Sequence, residues 1–203
     1  MQLRMKKAFA LLMIIAAASA ATAMSQTAAK ADKPFRGELA LDYSYLRSNA
    51  PPGGCGCFSL NGGGGAFAWQ FNSLPVAVVA DADVMHTGSI AGTGTSLTLS
   101  TFTAGGRYRP RLEHLPLQPY GQVLVGLAHA NATLAQGANS SVSKTGSAFA
   151  SNLGGGLDLR ASRRFSIRLI EADYLVTTFN NNVNNHQNNL RISAGLVIKF
   201  ARE

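Results

Sequence analysis

Leu190-Arg-Ile-Ser-Ala-Gly-Leu-Val-Ile-Lys-Phe200 is the stretch that decides the fold. Leu190, Ile192, Ala194, Leu196, Ile198 and Phe200 fall on one face of an extended chain, and Arg191, Ser193, Gly195, Val197 and Lys199 on the other. Period two of this kind, apolar against polar, is the signature of a β-strand with one greasy and one wet face.

The same pattern recurs upstream. Leu39, Leu41, Tyr43 and Tyr45 alternate with Glu38, Ala40, Asp42 and Ser44. Val76, Val78, Ala80, Ala82 and Val84 alternate with Ala77, Val79, Asp81 and Asp83. Phe149, Leu153, Leu157 and Leu159 oppose Asn152, Gly154, Gly156, Asp158 and Arg160. Turn chemistry separates the segments, which predicts strands over 36–47, 58–71, 75–85, 96–109, 118–131, 147–160, 164–177 and 189–200. No segment carries the apolar i, i+3, i+4 spacing and the caps of a helix.

The chain opens differently. Arg4, Lys6 and Lys7 precede an apolar run from Ala8 to Ala18, and Ala21-Thr22-Ala23 offers an A-x-A cleavage pattern, so residues 1–23 read as an export signal. The run is well short of the roughly 20 residues that a helical membrane span needs. Removal of 1–23 leaves 180 residues and lowers the net charge from +8 to +5. Residues 24–34 lack periodicity and read as a flexible lead-in, and 35–200 as one barrel domain. That length accommodates eight membrane-crossing strands of about 10 residues each. Charged residues make up only 14% of the chain and form no basic patch with interleaved aromatics, so no nucleic-acid partner is expected.

Alternation alone does not separate a membrane barrel, greasy outside, from a soluble ligand-carrying barrel, greasy inside. Two further observations favour the membrane. Links alternate in length: short near 72–74, 110–117 and 161–163, long near 48–57, 86–95, 132–146 and 178–188. Transmembrane barrels have short turns at the periplasmic end and long loops outside, which places both termini in the periplasm. The long links hold only Lys144 as a formal charge, whereas the short ones contain Arg111, Glu113 and Arg163. Secondly, the polar face is built from small residues beside charges of both signs, which suits a cramped eight-stranded interior rather than a solvated exterior. Acids Glu38, Asp42, Asp81, Asp83 and Asp158 are expected to pair there with Arg107, Arg160, Arg168, Arg191 and Lys199, because charges removed from water need partners. Tyr43, Tyr45, Trp69, Phe71, Tyr108, Tyr120, Tyr174 and Phe200 are expected to form interfacial girdles. Strand 164–177 breaks the pattern, since Ile167 and Leu169 share parity with Glu171 and Asp173; a bulge near Ile170 is required to keep those acids out of lipid.

Cys-Gly-Cys-Phe-Ser-Leu-Asn-Gly at 55–62, Gly105-Gly-Arg-Tyr-Arg109, Arg168-Leu-Ile-Glu-Ala-Asp-Tyr-Leu175 with Thr177, and Gln187-Asn-Asn-Leu-Arg-Ile-Ser-Ala-Gly195 together resemble the small OmpA-like outer-membrane β-barrel family, especially the short barrels of soil bacteria such as acidobacteria. The resemblance covers nearly all of the chain after the signal. It implies an all-β, eight-stranded antiparallel up-and-down transmembrane β-barrel in the bacterial outer membrane, with a structural or surface-interaction role. It also implies outer-membrane lipid and the barrel assembly machinery as partners. Ser193-x-Gly195-x-x-Ile198-x-Phe200 looks like the family's C-terminal assembly signal, although Ala201-Arg-Glu203 follow the aromatic. Because the chain stops there, the peptidoglycan-binding domain of larger relatives is not expected. A monomer is expected.

Other chemistry is sparse. Cys55 and Cys57 can pair in an oxidising compartment, as a local loop staple or as a strained, redox-active ring. His86, His114, His129 and His186 lack metal-ligand spacing, and no cofactor or metal is expected. There is no Gly-x-Ser-x-Gly elbow, and Asp81 with Asp83 is more simply an ion-pairing element than a catalytic carboxylate pair. Gly62–Gly65 reads as close packing or a bend. The expected molecule is therefore a non-enzymatic barrel; a small porin-like channel and a soluble ligand-binding barrel are the alternatives.

Overall fold

The alternating segments form eight strands in the computed structural model, which describes residues 37–48, 57–71, 74–90, 94–110, 112, 115–135, 141–179 and 185–200. They are β1 (Gly37–Ser48), β2 (Phe58–Gln70), β3 (Val76–Thr87), β4 (Thr95–Tyr108), β5 (Leu117–Ala135), β6 (Ser141–Arg160), β7 (Phe165–Thr177) and β8 (Gln187–Phe200). Each pairs antiparallel with the next, and β1 pairs with β8 from Gly37↔Phe200 to Ser48↔Asn189, closing the sheet. Closure leaves no edge strand through the barrel wall, so its backbone polar groups find partners within the ladder.

The apolar face points outward. Leu41, Val78, Phe102, Leu153 and Leu196 are exposed on the wall, whereas Arg168, Arg191, Glu171 and Asp173 are buried within it. That excludes the soluble ligand-carrying barrel, whose greasy face lines the cavity. On β5 the outward apolar run extends from Leu117 to Leu127. At about 3.3 Å per residue and a tilt of about 40°, it spans a band roughly 25 Å tall, the height of an outer-membrane hydrophobic belt.

Polar cross-strand pairs mark where the band ends towards the loops. Tyr43 Oη donates to Asn61 Oδ1 (3.0 Å), Arg47 Nη1 to Ser59 Oγ (3.0 Å), and the rings of His86 and His129 meet Thr98 (3.0 Å) and Ser147 (2.9 Å). At the opposite end, the end nearer the termini in sequence, Trp69, Phe71, Tyr108, Phe165 and Phe200 are exposed around the rim where β1 starts and β8 ends.

Two expectations need correcting. The long link over 132–146 is largely strand, because β5 and β6 stay paired out to Ala135↔Ser141, which puts Lys144 within β6. Its Ser, Thr and Ala residues read as loop in isolation, but strand preference depends on the neighbours available to pair with. Tyr120 is not a girdle residue; it is 6% exposed and lies inside the barrel.

The bulge near Ile170 is present. Leu157 opposes Ile170 while Asp158 opposes Arg168, and across β8 the register shifts between Arg168 and Glu171. Leu169 and Ile170 consequently both face outward at 45% exposure, and Glu171 and Asp173 turn inward with Arg168.

Candidate functional site

An eight-stranded barrel is just wide enough for side chains to fill its interior, so the lumen is where inward-facing residues from every strand meet. Every acid among the described residues points into it: Glu38, Asp42, Asp81, Asp83, Asp158, Glu171 and Asp173. Five cations meet these seven carboxylates, namely Arg107, Arg109, Arg168, Arg191 and Lys199.

Arg168 and Arg191 organise the network. The Arg168 guanidinium contacts Asp158 (3.1 Å), Asp42 (2.9 Å) and Glu171 (3.0 Å). Arg191 touches four carboxylates: Asp173 at 2.7 Å, Asp81 at 3.0 Å, Glu171 at 3.2 Å, and Asp83. Arg109 bridges Glu38 (2.5 Å) and Asp158 (2.8 Å) at the termini end, where Lys199 also approaches Glu38 (3.9 Å) and donates to Gln118 (2.6 Å). Arg107 donates twice to Gln122 Oε1 and lies 3.6 Å from Glu171.

Neutral groups complete the arrangement. Tyr120 Oη donates to Glu171, and three guanidinium carbons, of Arg107, Arg168 and Arg109, lie 4.3, 5.1 and 5.4 Å from its ring centroid. The ring's negative face suits such neighbours. Ser44 donates to Asp83 (3.0 Å), and its hydroxyl meets that of Ser193 at 2.9 Å.

The small residues of the inner face now have a reason. A Cβ at Gly154 collides with the Asp173 carboxylate and the Ala172 carbonyl oxygen, and one at Gly195 with the Leu41 carbonyl oxygen and the Asp42 carboxylate. Glycine at these two positions makes room for both the backbone and the acid of the adjacent strand.

Apolar layers accompany the charges. Leu46, Leu60, Met85, Leu99 and Leu175, with Ala128 and Ala150, cluster across the lumen towards the loop end. Nearer the termini, Ala40, Val79, Leu124 and Val197 belong to a second cluster. The described lumen is thus crossed by an ion-paired zone and by an apolar plug above it.

Of the ten residues expected to pair in the lumen, Glu38, Asp42, Asp81, Asp83, Arg107, Asp158, Arg168, Arg191 and Lys199 are brought together there. Arg160 is not. It shares parity with Asp158 but ends β6, and its side chain is exposed at the rim. Glu171 and Asp173, which the expected bulge already kept out of lipid, join the network from outside the ten, while Arg109, Tyr120 and Gln122 were missed as lumen residues. Continuing the alternation from Arg107 finds Arg109, and applying the bulge to the whole of β7 turns Glu171 and Asp173 inward.

Within the C-terminal motif, Ser193 and Gly195 face the lumen while Ile198 and Phe200 face outward, Phe200 at 50% exposure. Cys57 is exposed just before β2, and Cys55 lies outside the described residues, as does the signal over 1–23. Among the described residues no cluster of His, Cys, Asp or Glu is suited to a metal ion.

Comparison with known proteins agrees with this architecture. The family model described as outer membrane protein beta-barrel domain matches residues 10–200. No curated protein sequence matches the chain. Among solved structures, the attachment invasion locus protein Ail of Yersinia pestis is 18% identical with a TM-score of 0.56, covering 81% of this chain and 99% of its own. Neisserial surface protein A is 16% identical with a TM-score of 0.57, covering 81% and 97%. OprG of Pseudomonas aeruginosa is 15% identical with a TM-score of 0.54, covering 84% and 98%. At these identities the likeness is one of fold.

Proposed function

Because the chain belongs to the outer membrane protein β-barrel domain family, we propose that it is a closed, non-conducting and non-enzymatic barrel of the outer membrane, serving as envelope structure or as a platform for its loop-end surface. The observation that carries this reading is the filled lumen. Arg168 and Arg191 tie together carboxylates from β1, β3, β6 and β7, and the plug of Leu46, Leu60, Met85, Leu99 and Leu175 lies above them. An ion crossing this interior must displace both a bound charge network and an apolar layer.

The short connections and the termini face the periplasm, and the ends of β4, β5 and β6 rise on the outer side as a three-stranded extension from the membrane band. Residues 1–23 act as the export signal and 24–34 as a lead-in. The barrel assembly machinery inserts the chain through Ser193, Gly195, Ile198 and Phe200, and the mature protein is a monomer. Ail has been crystallised with the heparin analogue sucrose octasulfate. A sulfated ligand of that kind would meet little positive charge here, since Lys144 is the single formal charge in the sequence of the four long links and Arg47 the nearest addition. The outer surface is instead suited to neutral, hydrogen-bonding partners.

Purified protein in planar bilayers tests the closed lumen. Absence of steady conductance is expected, and reproducible single-channel steps would overturn it in favour of the pore.

A further inference from the structure

Three arginines in five residues span the end of β6 and the β6–β7 turn, Arg160-Ala161-Ser162-Arg163-Arg164. All three side chains are exposed, and none forms an ion pair among the described residues, whose acids all lie in the lumen. The turn is held in place. Ser162 Oγ accepts from the backbone amides of Arg164 (3.3 Å) and Phe165 (3.0 Å). Ala161 and Ser162 amides donate to Phe165 O (3.1 and 2.9 Å), and Arg164 O accepts from the Lys199 amide (2.7 Å).

Its position relative to the membrane is equally defined. Arg160 directly follows Leu159 and Arg164 directly precedes Phe165, which is 53% exposed on the apolar wall, with Ile167 next along the same face. At about 3.3 Å per residue, the three guanidiniums stay within roughly 10 Å of the band edge, the depth of lipid headgroups. Guanidinium groups bind phosphate through paired donors, and the attraction is stronger when the lipid carries a net negative charge.

We propose that this turn is a docking site for anionic phospholipid headgroups of the periplasmic leaflet. The leaflet assignment rests on the orientation given above; the lipid preference does not. It gives the barrel a chemically selective contact at the rim opposite its near-neutral loops.

A Phe165→Trp substitution in a Trp69→Phe background places the only tryptophan beside the turn, Trp69 being the sole one in the chain. The full-length mature barrel is folded into phosphatidylcholine vesicles containing equal fractions of brominated phosphatidylglycerol or brominated phosphatidylcholine, and quenching is compared. We expect the anionic quencher to be enriched about fivefold at position 165, the factor contributed by one cation near an anionic surface. Adding Arg160→Gln, Arg163→Gln and Arg164→Gln should bring the ratio to unity, while Lys144→Gln at the loop end leaves it unchanged. Should the triple variant fail to fold, roughly 1 M salt on the parent decides, because screening to about 3 Å removes a headgroup attraction. Equal quenching by both lipids in the parent, or a preference that survives either the triple substitution or the salt, would overturn the proposal.

Discussion

Replacing Arg191 by methionine keeps most of the side-chain volume and removes the one cation that Asp81, Asp83 and Asp173 contact among the described residues. Glu171 retains Arg168 at 3.0 Å and Arg107 at 3.6 Å, so the damage is confined to three carboxylates. Each keeps one neutral donor, from Thr103 (3.5 Å), Ser44 (3.0 Å) and Gln122 (3.2 Å) respectively, which softens the loss without supplying charge. Breaking one buried pair costs about 3–5 kcal/mol because the remaining charge is left without compensation. Three such charges within one cluster place Arg191→Met at the upper end, about 5 kcal/mol. With an m-value of roughly 2 kcal/mol per molar, the urea midpoint of the vesicle-inserted barrel should fall by about 2.5 M. Adding Asp81→Asn, Asp83→Asn and Asp173→Asn to Arg191→Met should recover more than half of that loss, since the cost resides in the orphaned carboxylates. A midpoint shift below about 0.5 M for Arg191→Met, or no recovery in the quadruple variant, would refute the reasoning that Arg191 holds the acids in place; the first outcome corresponds to about 1 kcal/mol, the net value of an ordinary hydrogen bond.

Other positions give contrasts of the same kind. Gly154→Ala drives a methyl group into the Asp173 carboxylate and the Ala172 carbonyl oxygen and should cost about 1–3 kcal/mol, whereas Gly106→Ala, with open space at its Cβ, should stay within about 0.5 kcal/mol in the same urea titration. Tyr120→Phe removes the donor to Glu171 and should cost about 1.5–3 kcal/mol; Tyr120→Leu also removes the ring beneath three guanidiniums and should cost a further ~1 kcal/mol. Deleting Ile170 removes the extra residue of the bulge yet leaves Arg168, Glu171 and Asp173 inward, so heat-modifiable mobility on gels should persist; deleting Ala172 turns Asp173 towards lipid and should abolish it. Phe200→Ala, at the outward end of β8, should slow insertion by reconstituted assembly machinery more than it lowers the urea midpoint, and normal insertion rates would count against the signal.

The parity of each strand was legible because lipid and lumen make opposite demands on alternate residues. The strand that violated the pattern was the most informative: acids at the lipid parity of β7 left a bulge as the way to preserve the alternation, and the register shift lies at Leu169–Ile170. Strand ends were less legible. Ser141–Ser147 carries hydroxyls and a lysine on a surface that is wet on the outside, so nothing in its composition distinguishes a paired ribbon from a loop; the partner residues of β5 make the difference.

Parity is a binary label, and the lumen is a volume. Arg109 and Arg160 share the inward parity of their strands and sit at the same end of the barrel, yet Arg109 lies between Glu38 and Asp158 while Arg160 faces solvent. The difference is one of position along the barrel. Asp158 takes Arg168 Nε at 3.1 Å and Arg109 Nη2 at 2.8 Å inside the lumen, whereas Arg160 is the last residue of β6 and its side chain is exposed at the rim. The apolar plug follows the same logic. Leu46, Leu60, Met85, Leu99 and Leu175 all carry the inward parity, and a reading that assigns apolar side chains to lipid has no use for them. The closed register brings these residues, from five strands, across the lumen from one another, where each removes its neighbours from water. An added acid at that height would lack a partner, because the five cations described in the lumen are already committed to the carboxylates below, and the leucines and methionine there need none.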